Sequence, residues 1–321
     1  MTKPTALITG VTGFAGSYLA EDLLDHGFKV AGTVYNHEPT DNIEAIRNRI
    51  KLYPLDILDK NWCQRLVQRV KPDYIFHLAA IASVSESFRN ETLTFEINFN
   101  GTVNLLAAAL GIKRLKKILF VGSSDSYGRA GTKTLTENQP FNPVSPYGIS
   151  KAAAEYACRF YHRQHGSPVV VTRAFNHSGP RQTDSYVIPA FARQIAAIEA
   201  GKQRPAIKVG DLSARRDLSD VRDVVSGYRL AAVKGKPGEV YQLCSGRAVA
   251  ISRVLDMLLA MTDRTITVKV DRKKMRKSDL PVLRGSRRKA TQQLGFRIRY
   301  KLKDTLKDTL DYWRSRYDSG D

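Results

Sequence analysis

The chain has 321 residues, 42% of them hydrophobic, which is enough to build a substantial core in one large domain or in a domain with a smaller partner. Its formal charge is +20, from 51 Lys and Arg against 31 Asp and Glu. This charge indicates an attraction for phosphorylated small molecules, nucleic acid or an anionic lipid surface. No stretch approaches the roughly 20 apolar residues of a membrane span, and no charged-then-apolar leader opens the chain. We therefore expect a soluble, cytoplasmic protein that does not bind a membrane.

The cysteines and histidines predict neither a disulfide framework nor a metal site. Cys63, Cys158 and Cys244 are odd in number and far apart, which fits a reducing cytoplasm. His162 and His165 lie three positions apart, but no third ligand is near them in the sequence. We therefore interpret them as surface histidines and predict that the protein binds no metal.

Short apolar segments alternate with helix-like segments through the first 175 residues. The strand-like segments are "ALITG", "KVAGTVY", "KLYPLDI", "DYIFHLAA", "KKILFVGSS" and "SPVVVTRAF". This alternation is typical of an α/β fold with a doubly wound parallel sheet and helices on both faces.

After Gly179 the alternation gives way to a loop and an amphipathic helix. A predicted strand near 238–246, "GEVYQLCSG", is suited to return to the main sheet, and two further helix-like segments follow it. We therefore predict a dinucleotide-binding domain over 1–178 and a smaller mixed α/β substrate-binding domain over most of 179–321.

The segment "TGVTGFAG" places Gly10, Gly13 and Gly16 directly after a strand and at the start of a helix. Glycines in this context let the backbone approach a pyrophosphate at the helix N-terminus. The alternative is a glycine-rich turn that binds nothing, but the strand and helix on either side favour a dinucleotide site.

The end of the second predicted strand bears on the choice of cofactor. A carboxylate there would bind both ribose hydroxyls of NAD, but no carboxylate precedes Glu38. No arginine at this turn is available to bind a 2′-phosphate either. We predict NADP as the cofactor, with NAD also accepted. Asp56 and Ile57 are candidates for the adenine, although Asp56 is equally suited to cap the next helix.

In "SPYGISK", Tyr147 and Lys151 lie one helical turn apart just after Pro146. A neighbouring cation is expected to lower the pKa of the phenol from about 10, which would make it a general acid or base. The alternative is a surface Tyr–Lys pair. Ser123 and Ser124 favour the first interpretation, because they end a strand at the carboxyl edge, where open parallel sheets bind ligands.

The motifs together resemble the extended short-chain dehydrogenase/reductase family of nucleotide-sugar enzymes. The resemblance includes "HLAA", the run from Asn98 to Asn104, "SSDSYG" and "FNHSGP", and it covers nearly the whole chain. The segments "TRAFNHSGPRQ" and "VYQLCSG" are most similar to the branch that contains the GDP-4-keto-6-deoxy-mannose reductases and the GDP-mannose 4,6-dehydratases. This resemblance implies a Rossmann-type sheet, a GDP-linked sugar as substrate and a homodimer formed through helices that include 98–110 and 147–165.

The resemblance also implies roles for single residues. Tyr147 would protonate the C4 oxygen of the sugar, Ser123 would orient the carbonyl, and Lys151 would hold the nicotinamide ribose. The predicted catalytic residues are Ser123, Asp125, Tyr147 and Lys151. The predicted cofactor contacts are Gly10, Thr12, Gly13, Phe14, Asn36, Asp56, Ile57, Leu78, Ala79, Ala80, Tyr147 and Lys151. The predicted substrate contacts are Ser124, Asn176, Arg193, Arg216, Arg276 and Asp279.

Two departures from the branch pattern bear on function. The branch has "RPSEV" or "RPTEV" where this chain has "RKSDL", so Lys277 and Asp279 weaken the assignment of guanosine. Surface solvation is an open alternative for Arg193 and Arg276. Where a dehydratase carries a glutamate base, this chain has the shorter Asp125, and displacing a base by about an ångström costs on the order of a hundredfold in rate.

We therefore predict NAD(P)H-dependent reduction of the C4 keto group of a GDP-4-keto-6-deoxy hexose, in deoxysugar biosynthesis. The alternatives are a 4,6-dehydratase or a 4-epimerase with tightly bound NAD(P), and a nucleic-acid-binding protein that exploits the positive charge. The absence of an aromatic stacking array or a known nucleic-acid-binding motif disfavours the last, so no nucleic acid is expected as a partner.

Overall fold

The computed structural model of the chain describes residues 3–36, 38–129, 131, 133–272 and 280–318. The strands are β1 (Thr5–Thr9), β2 (Lys29–Val34), β3 (Ile50–Pro54), β4 (Tyr74–His77), β5 (Lys117–Ser123), β6 (Val169–Ala174), β7 (Asn176–Ser178), β8 (Ala206–Val209), β9 (Arg215–Asp220), β10 (Val240–Leu243), β11 (Ala248–Ala250), β12 (Thr267–Val270) and β13 (Val282–Leu283). The α-helices are α1 (Phe14–Asp25), α2 (Lys60–Val70), α3 (Val84–Ser87), α4 (Glu91–Phe95), α5 (Gly101–Ala109), α6 (Pro146–His165), α7 (Val187–Glu199), α8 (Val221–Lys234), α9 (Ile251–Leu259), α10 (Arg288–Leu294) and α11 (Leu302–Asp318). Shorter helical segments are the 3₁₀ turns Asp41–Arg49 and Ser124–Tyr127 and the π-helical turn Glu96–Asn100.

The main sheet has seven parallel strands in the order β10-β6-β5-β4-β1-β2-β3. The strands run outward in one direction from β1 and in the other from β4, so the strand order reverses between these two neighbours. Open α/β sheets bind ligands at the carboxyl ends of the strands beside such a reversal. Helices cover both faces, which is why strands such as β6 consist of buried, mostly apolar residues. The predicted doubly wound parallel sheet is confirmed.

Each face of the main sheet has its own apolar core. On one face α1 and α8 bring Leu19, Leu23 and Val224 against the strands. On the other, α2, α5 and α6 bring Leu66 and Leu105, among others. Burying one such leucine contributes about 1.5–3 kcal/mol, and truncating it to alanine in a close-packed core costs about 2–5 kcal/mol. These two cores hold the carboxyl edge of the sheet rigid.

A smaller group of elements stands beside this edge and is called here the small unit. It comprises β7, β8, β9, β11, β12 and β13 with helices α7, α9 and α11. In it β9 pairs with β7, β11 and β13, and β8 pairs with β12. Its core includes Ile195, Val254, Leu258, Leu306 and Leu310. The segment predicted near 238–246 forms β10, which pairs with β6 in the main sheet. The domain limits at 178 and 179 stay a prediction.

Local sequence fixes both ends of α6, the helix that carries Tyr147 and Lys151. The Ser145 hydroxyl caps the helix by accepting a hydrogen bond from the Gly148 amide at 3.0 Å, and Pro146 occupies the first turn. The helix ends at Gly166, whose φ of 64° is left-handed and favours glycine. Among the described residues no helix is long and apolar enough to cross a membrane.

Candidate active site

A single cleft of about 1430 Å³ runs along the carboxyl edge of the main sheet and faces the small unit. Its walls are the turns that follow β1, β2, β3, β4 and β5, the start of α6, and parts of α7, α11 and the β8–β9 connection. Pockets for one small molecule commonly measure about 300–1,000 Å³. The cleft therefore has room for a dinucleotide and a second ligand together.

Most of the predicted site residues line this cleft. They are Gly10, Thr12, Gly13, Phe14, Asp56, Ile57, Leu78, Ala79, Ala80, Ser123, Ser124, Asp125, Tyr147, Lys151, Asn176 and Arg216. Asn36 and Arg193 do not line it. Asn36 lies in a left-handed turn with φ of 41°, and the Arg193 Nε lies 2.7 Å from Oδ2 of Asp184. Arg276, Asp279 and Lys277 lie outside the described residues.

The glycine turn between β1 and α1 is built for close backbone approach. Gly10 has a left-handed φ of 72°, and a Cβ at Gly16 would lie 2.1 Å from the Gly10 carbonyl oxygen. Helix α1 begins after Gly13, with no side-chain cap and no acidic residue in its first turn. Its first amides and its dipole are therefore available to an anion. This turn fits the pyrophosphate of a dinucleotide.

Polar side chains to which the sequence analysis assigned no role support the part of the cleft wall that is formed by the end of β4 and the turn after it. The Thr9 hydroxyl accepts the amides of Leu78 and Ala79 at 3.2 Å each and contacts Nδ1 of His77 at 2.8 Å. Burial lowers the pKa of His77 to about 3, so the ring is neutral and serves to hold the strand end.

Asp59, and not Asp56, caps α2, because its side chain accepts a hydrogen bond from the Trp62 amide at 2.8 Å.

Asn98 connects this wall to the helix that carries Tyr147. Its Oδ1 accepts the Ile81 amide at 2.8 Å, and its Nδ2 donates to the Ser150 hydroxyl at 2.9 Å. Asn98 lies in the π-helical turn, where the extra residue per turn changes which side chains face inward. The usual α-helical spacing of four residues therefore does not predict the contact between Asn98 and Ser150. The asparagine-rich run was the only sign of it in the sequence.

The predicted catalytic residues Ser123 of β5 and Tyr147 and Lys151 of α6 line the same cleft. The Ser123 hydroxyl donates to Oδ2 of Asp125 at 3.1 Å and accepts the Asp125 amide at the same distance. Burial, and then the Asp125 carboxylate, raise the pKa of Tyr147, while a hydrogen bond with Ser123 lowers it to a smaller extent. The predicted lowering of this pKa is wrong, because burial and the Asp125 carboxylate raise it. Tyr147 is therefore a neutral phenol that carries its proton at neutral pH.

Lys151 is buried beneath the same surface. Its Nζ donates to the Val121 carbonyl at 2.9 Å and lies 5.1 Å from the centre of the Phe120 ring. Burial lowers the pKa of Lys151 to about 8. The hydrogen bond to β5 therefore fixes the orientation of the ammonium group, and Lys151 lies one helical turn from Tyr147.

The opposite half of the cleft, called here the substrate half, is lined by residues from 176–216 and 312–316. Arg216 Nη1 donates to the Leu280 carbonyl at 2.6 Å, which fixes the guanidinium at the wall. Sequence reasoning missed Tyr186, Lys208, Tyr312, Trp313 and Arg316, which also line the cleft. Tyr312 and Arg316 lie one turn apart on α11, and Nε of Arg316 donates to the Tyr312 hydroxyl at 3.1 Å. Their spacing of four residues was the feature of the sequence that could have indicated a shared helix face.

A profile of the GDP-mannose 4,6-dehydratase family matches residues 7–309. The chain belongs to this family. Over 311 residues it is 33% identical to a GDP-6-deoxy-D-mannose reductase of Pseudomonas aeruginosa, covering 96% of this chain and 97% of that protein. It is 30% identical to a GDP-mannose 4,6-dehydratase of Sinorhizobium fredii, over 97% and 98% of the two chains.

Two solved structures extend the comparison to three dimensions. RMD from Pseudomonas aeruginosa, complexed with NADPH, superposes with a TM-score of 0.82 at 31% identity and covers 98% of this chain and 100% of its own. A UDP-glucose 4-epimerase from Thermus thermophilus, in complex with NAD, gives 0.87 at 27% identity over 97% and 99%. The resemblance to extended short-chain dehydrogenase/reductases, and the use of NAD(P) in this family, are confirmed.

Proposed function

We propose that the protein reduces the C4 keto group of a GDP-linked 4-keto-6-deoxy hexose with NADPH or NADH. The observation that carries this proposal is that Ser123, Tyr147 and Lys151 line one cleft at the carboxyl edge of the sheet, with the Tyr147 hydroxyl hydrogen-bonded to Ser123. A reductase needs a proton donor beside the carbonyl oxygen. The name of the Pseudomonas aeruginosa relative, GDP-6-deoxy-D-mannose reductase, supports the choice of sugar and base.

Each of these residues has a separate role in the conversion of the carbonyl to an alcohol. When bound, the reduced nicotinamide supplies the hydride that adds to C4. Tyr147 gives its proton to the C4 oxygen, and Ser123 orients that oxygen from the end of β5. A well-placed acid of this kind contributes about 10²–10⁴-fold to the rate. Lys151, anchored on Val121, is placed to hold the nicotinamide ribose and to stabilise the phenolate until it is protonated again.

Asp125 keeps Tyr147 in its protonated form before the reaction. Its carboxylate raises the pKa of the phenol, and its Oδ2 accepts a hydrogen bond from the Ser123 hydroxyl at 3.1 Å. Arg216, Lys208 and Arg316 give the substrate half the cations that a sugar diphosphate requires. The net charge of +20 adds a long-range attraction for such an anion.

A second candidate function is 4,6-dehydration. Asp125 favours it, because a carboxylate beside Tyr147 occupies the position at which a dehydratase places its C5 base, and the family profile carries the dehydratase name. The dehydratase reaction returns its hydride within each turnover, so it produces no net change in the cofactor. An epimerase would share this property.

Absorbance at 340 nm separates these functions. Purified protein is given GDP-4-keto-6-deoxy-mannose with NADPH or NADH, and in parallel GDP-mannose with NAD or NADP. Oxidation of the reduced cofactor that depends on the keto sugar is the expected result. Conversion of GDP-mannose to a keto sugar without net cofactor change would instead assign the dehydratase reaction and make Asp125 its base.

We further propose a homodimer and a cytoplasmic location. Ile149, Tyr156 and Phe160 form an exposed apolar face on α6, and Phe95 is exposed on the adjoining α4. The proposal predicts a mass of twice 35.9 kDa by light scattering. Ile149→Asp with Phe160→Asp is expected to give a folded monomer, and a wild-type monomer at micromolar concentration would contradict the dimer.

A further inference from the structure

Arg173 is a buried cation in β6 that has no role in the chemistry described so far. Its side chain is 1% exposed, and its backbone is in register with Gly122 of β5, the residue before Ser123. Its Nε and Nη2 donate to the two carboxylate oxygens of Glu155 at 2.9 and 2.7 Å. A charge is tolerated in a protein interior when it is paired and hydrogen-bonded in this bidentate way.

The other side of the same guanidinium reaches the 3₁₀ turn that follows β5. Nη1 of Arg173 donates to the Tyr127 hydroxyl at 2.6 Å and to the Glu137 carbonyl at 2.9 Å. The ring centres of Tyr127 and Phe141 lie 4.9 and 4.4 Å from its Cζ, which adds cation–π contacts. The guanidinium is therefore bonded in two directions, toward α6 and toward the turn that Tyr127 ends.

These two partners belong to the segments that carry the proposed proton donor and its neighbouring hydroxyl. Glu155 lies on α6, where positions 147, 151 and 155 fall at successive turns of one helix face. Tyr127 ends the 3₁₀ turn whose first residue directly follows Ser123. Arg173 thus connects the end of β5 to α6, although it does not line the cleft itself.

Stability alone does not require this ion pair. Both members are 1% exposed and have lost their hydration, and well-packed apolar residues of similar volume are often as stable as a buried pair or more so. The pair instead provides geometry, because a planar guanidinium fixes the distance and the direction to each of its partners. Geometry matters here, since displacing a reacting group by about an ångström costs on the order of a hundredfold in rate.

We propose that Arg173 is a positioning residue for the proton transfer. Through its bonds to Tyr127 and Glu155 it sets the spacing between the end of β5 and α6. The hydrogen bond between Ser123 and Tyr147 depends on that spacing. The inference rests on the proposed function, because it concerns the hydroxyl pair that this function uses.

Tyr127→Phe tests the proposal, because it removes the bond from Arg173 to the turn and keeps the ring and the buried ion pair. We expect kcat to fall about 10- to 100-fold. The KM for the sugar nucleotide and the dissociation constant for NADH should each change by less than about threefold. Arg173→Lys keeps the charge but lacks the planar group that bonds both partners, so it should show the same pattern.

Two control variants separate positioning from stability. Arg159→Met removes the second cation on Glu155, which is 38% exposed, and leaves the bonds of Arg173 in place, so kcat should not change. Leu66→Ala opens a cavity in the core beside α2, outside the cleft lining. Its urea midpoint should fall while its kcat stays near the wild-type value.

The outcomes distinguish the inference from the proposed function. If Tyr127→Phe folds and keeps the wild-type kcat, the inference is overturned and the reductase function still stands. If Leu66→Ala lowers kcat as much as Tyr127→Phe does, lost stability is sufficient and the inference is also overturned. If the wild type converts GDP-mannose without net cofactor change, the reductase function fails, and the same variants test the inference in that reaction. A wild type that catalyses neither reaction would contradict both.

Discussion

The adenosine end of the cleft, defined as its lining between residues 10 and 58, and the substrate half differ in the charge of their side chains, although each would receive a phosphate-bearing ligand. The charged side chains of the adenosine end are the carboxylates Glu38, Asp41 and Asp56, and the first backbone amides and the dipole of α1 are available there to an anion. The substrate half has the cations Arg181, Lys208, Arg216 and Arg316 beside the carboxylates Asp184 and Asp211. This difference indicates that the backbone of the glycine turn is sufficient to bind the pyrophosphate of a dinucleotide. The charge of the side chains can then select the ligand on each side. We propose that the two ligands meet beside Tyr147 and Lys151, which line the same cleft.

The largest expected effect is at this meeting point. Tyr147→Phe removes the proton donor and little volume, so turnover is expected to fall by about 10²–10⁴-fold. Binding of the cofactor should be unchanged, which a fluorescence titration with NADH checks. A variant that retains the wild-type rate would remove Tyr147 from the mechanism.

A loss of charge in the substrate half should weaken only one ligand. Arg216→Met is expected to raise the KM for the GDP-linked sugar by about 10- to 100-fold, because a charged hydrogen bond contributes about 1.5–3 kcal/mol. The dissociation constant for the cofactor should stay the same. Arg253→Met, at an exposed position of α9, controls for the change in net charge. Equal weakening of both ligands would mean that the two halves are not independent.

The buried cation between the halves predicts a pH-dependent stability. The pKa of Lys151 is lowered to about 8 by burial, whereas it is 10.5 in an exposed lysine. Between these values the unfolded chain holds more protons than the folded one, so this group makes the protein more stable as the pH rises from about 8 to about 10.5. Below pH 8 the buried charge costs about 3 kcal/mol.

Lys151→Met is therefore expected to stabilise the folded state at pH 7 and to lose that advantage near pH 10.5. Urea unfolding of both proteins at the two pH values provides the measurement. A variant that is equally destabilised at both values would show that the hydrogen bond to Val121 matters more than the burial of charge.

The smallest effect is expected at Asp125. Asp125→Asn removes the carboxylate that raises the pKa of Tyr147, so the alkaline limit of the reductase rate should move to lower pH. Near pH 7 the rate should change by less than about threefold, because burial alone keeps the phenol protonated. The pH profile of kcat provides the check. A loss of reductase activity of several hundredfold at pH 7 would show that Asp125 takes part in the reaction itself and does not act only through the pKa of Tyr147.

Features formed by adjacent residues could be predicted from the sequence, and features formed by distant ones could not. The glycine turn, the Tyr147–Lys151 spacing and Ser123 at the end of β5 each depend on a few neighbouring positions, and all of them line the cleft. Asn36 was predicted as a cofactor contact but does not line the cleft, whereas Glu38 does, because the chain makes a left-handed turn at Asn36 after β2. Such a turn is not encoded by strand periodicity.

The direction of the Tyr147 pKa shift could not be predicted from the sequence for the same reason. Lys151 and Tyr147 are neighbours on one helix, which predicted a lowered pKa for the phenol. The packing of the cleft around Tyr147, and the position of Asp125 across from it, reverse that direction. Tyr312 and Arg316 join the cleft only because α11 packs against α7 in the small unit.

The most direct test of the reductase function is the fate of hydrogen from the cofactor. Wild-type protein is given GDP-4-keto-6-deoxy-mannose and NADH carrying deuterium at the transferable position of C4 of the nicotinamide, and the sugar product is examined by mass spectrometry and NMR. We expect one deuterium at C4 of the sugar and one oxidised cofactor for each product molecule. A product without deuterium, or conversion of GDP-mannose with the cofactor unchanged, would contradict the proposed reduction.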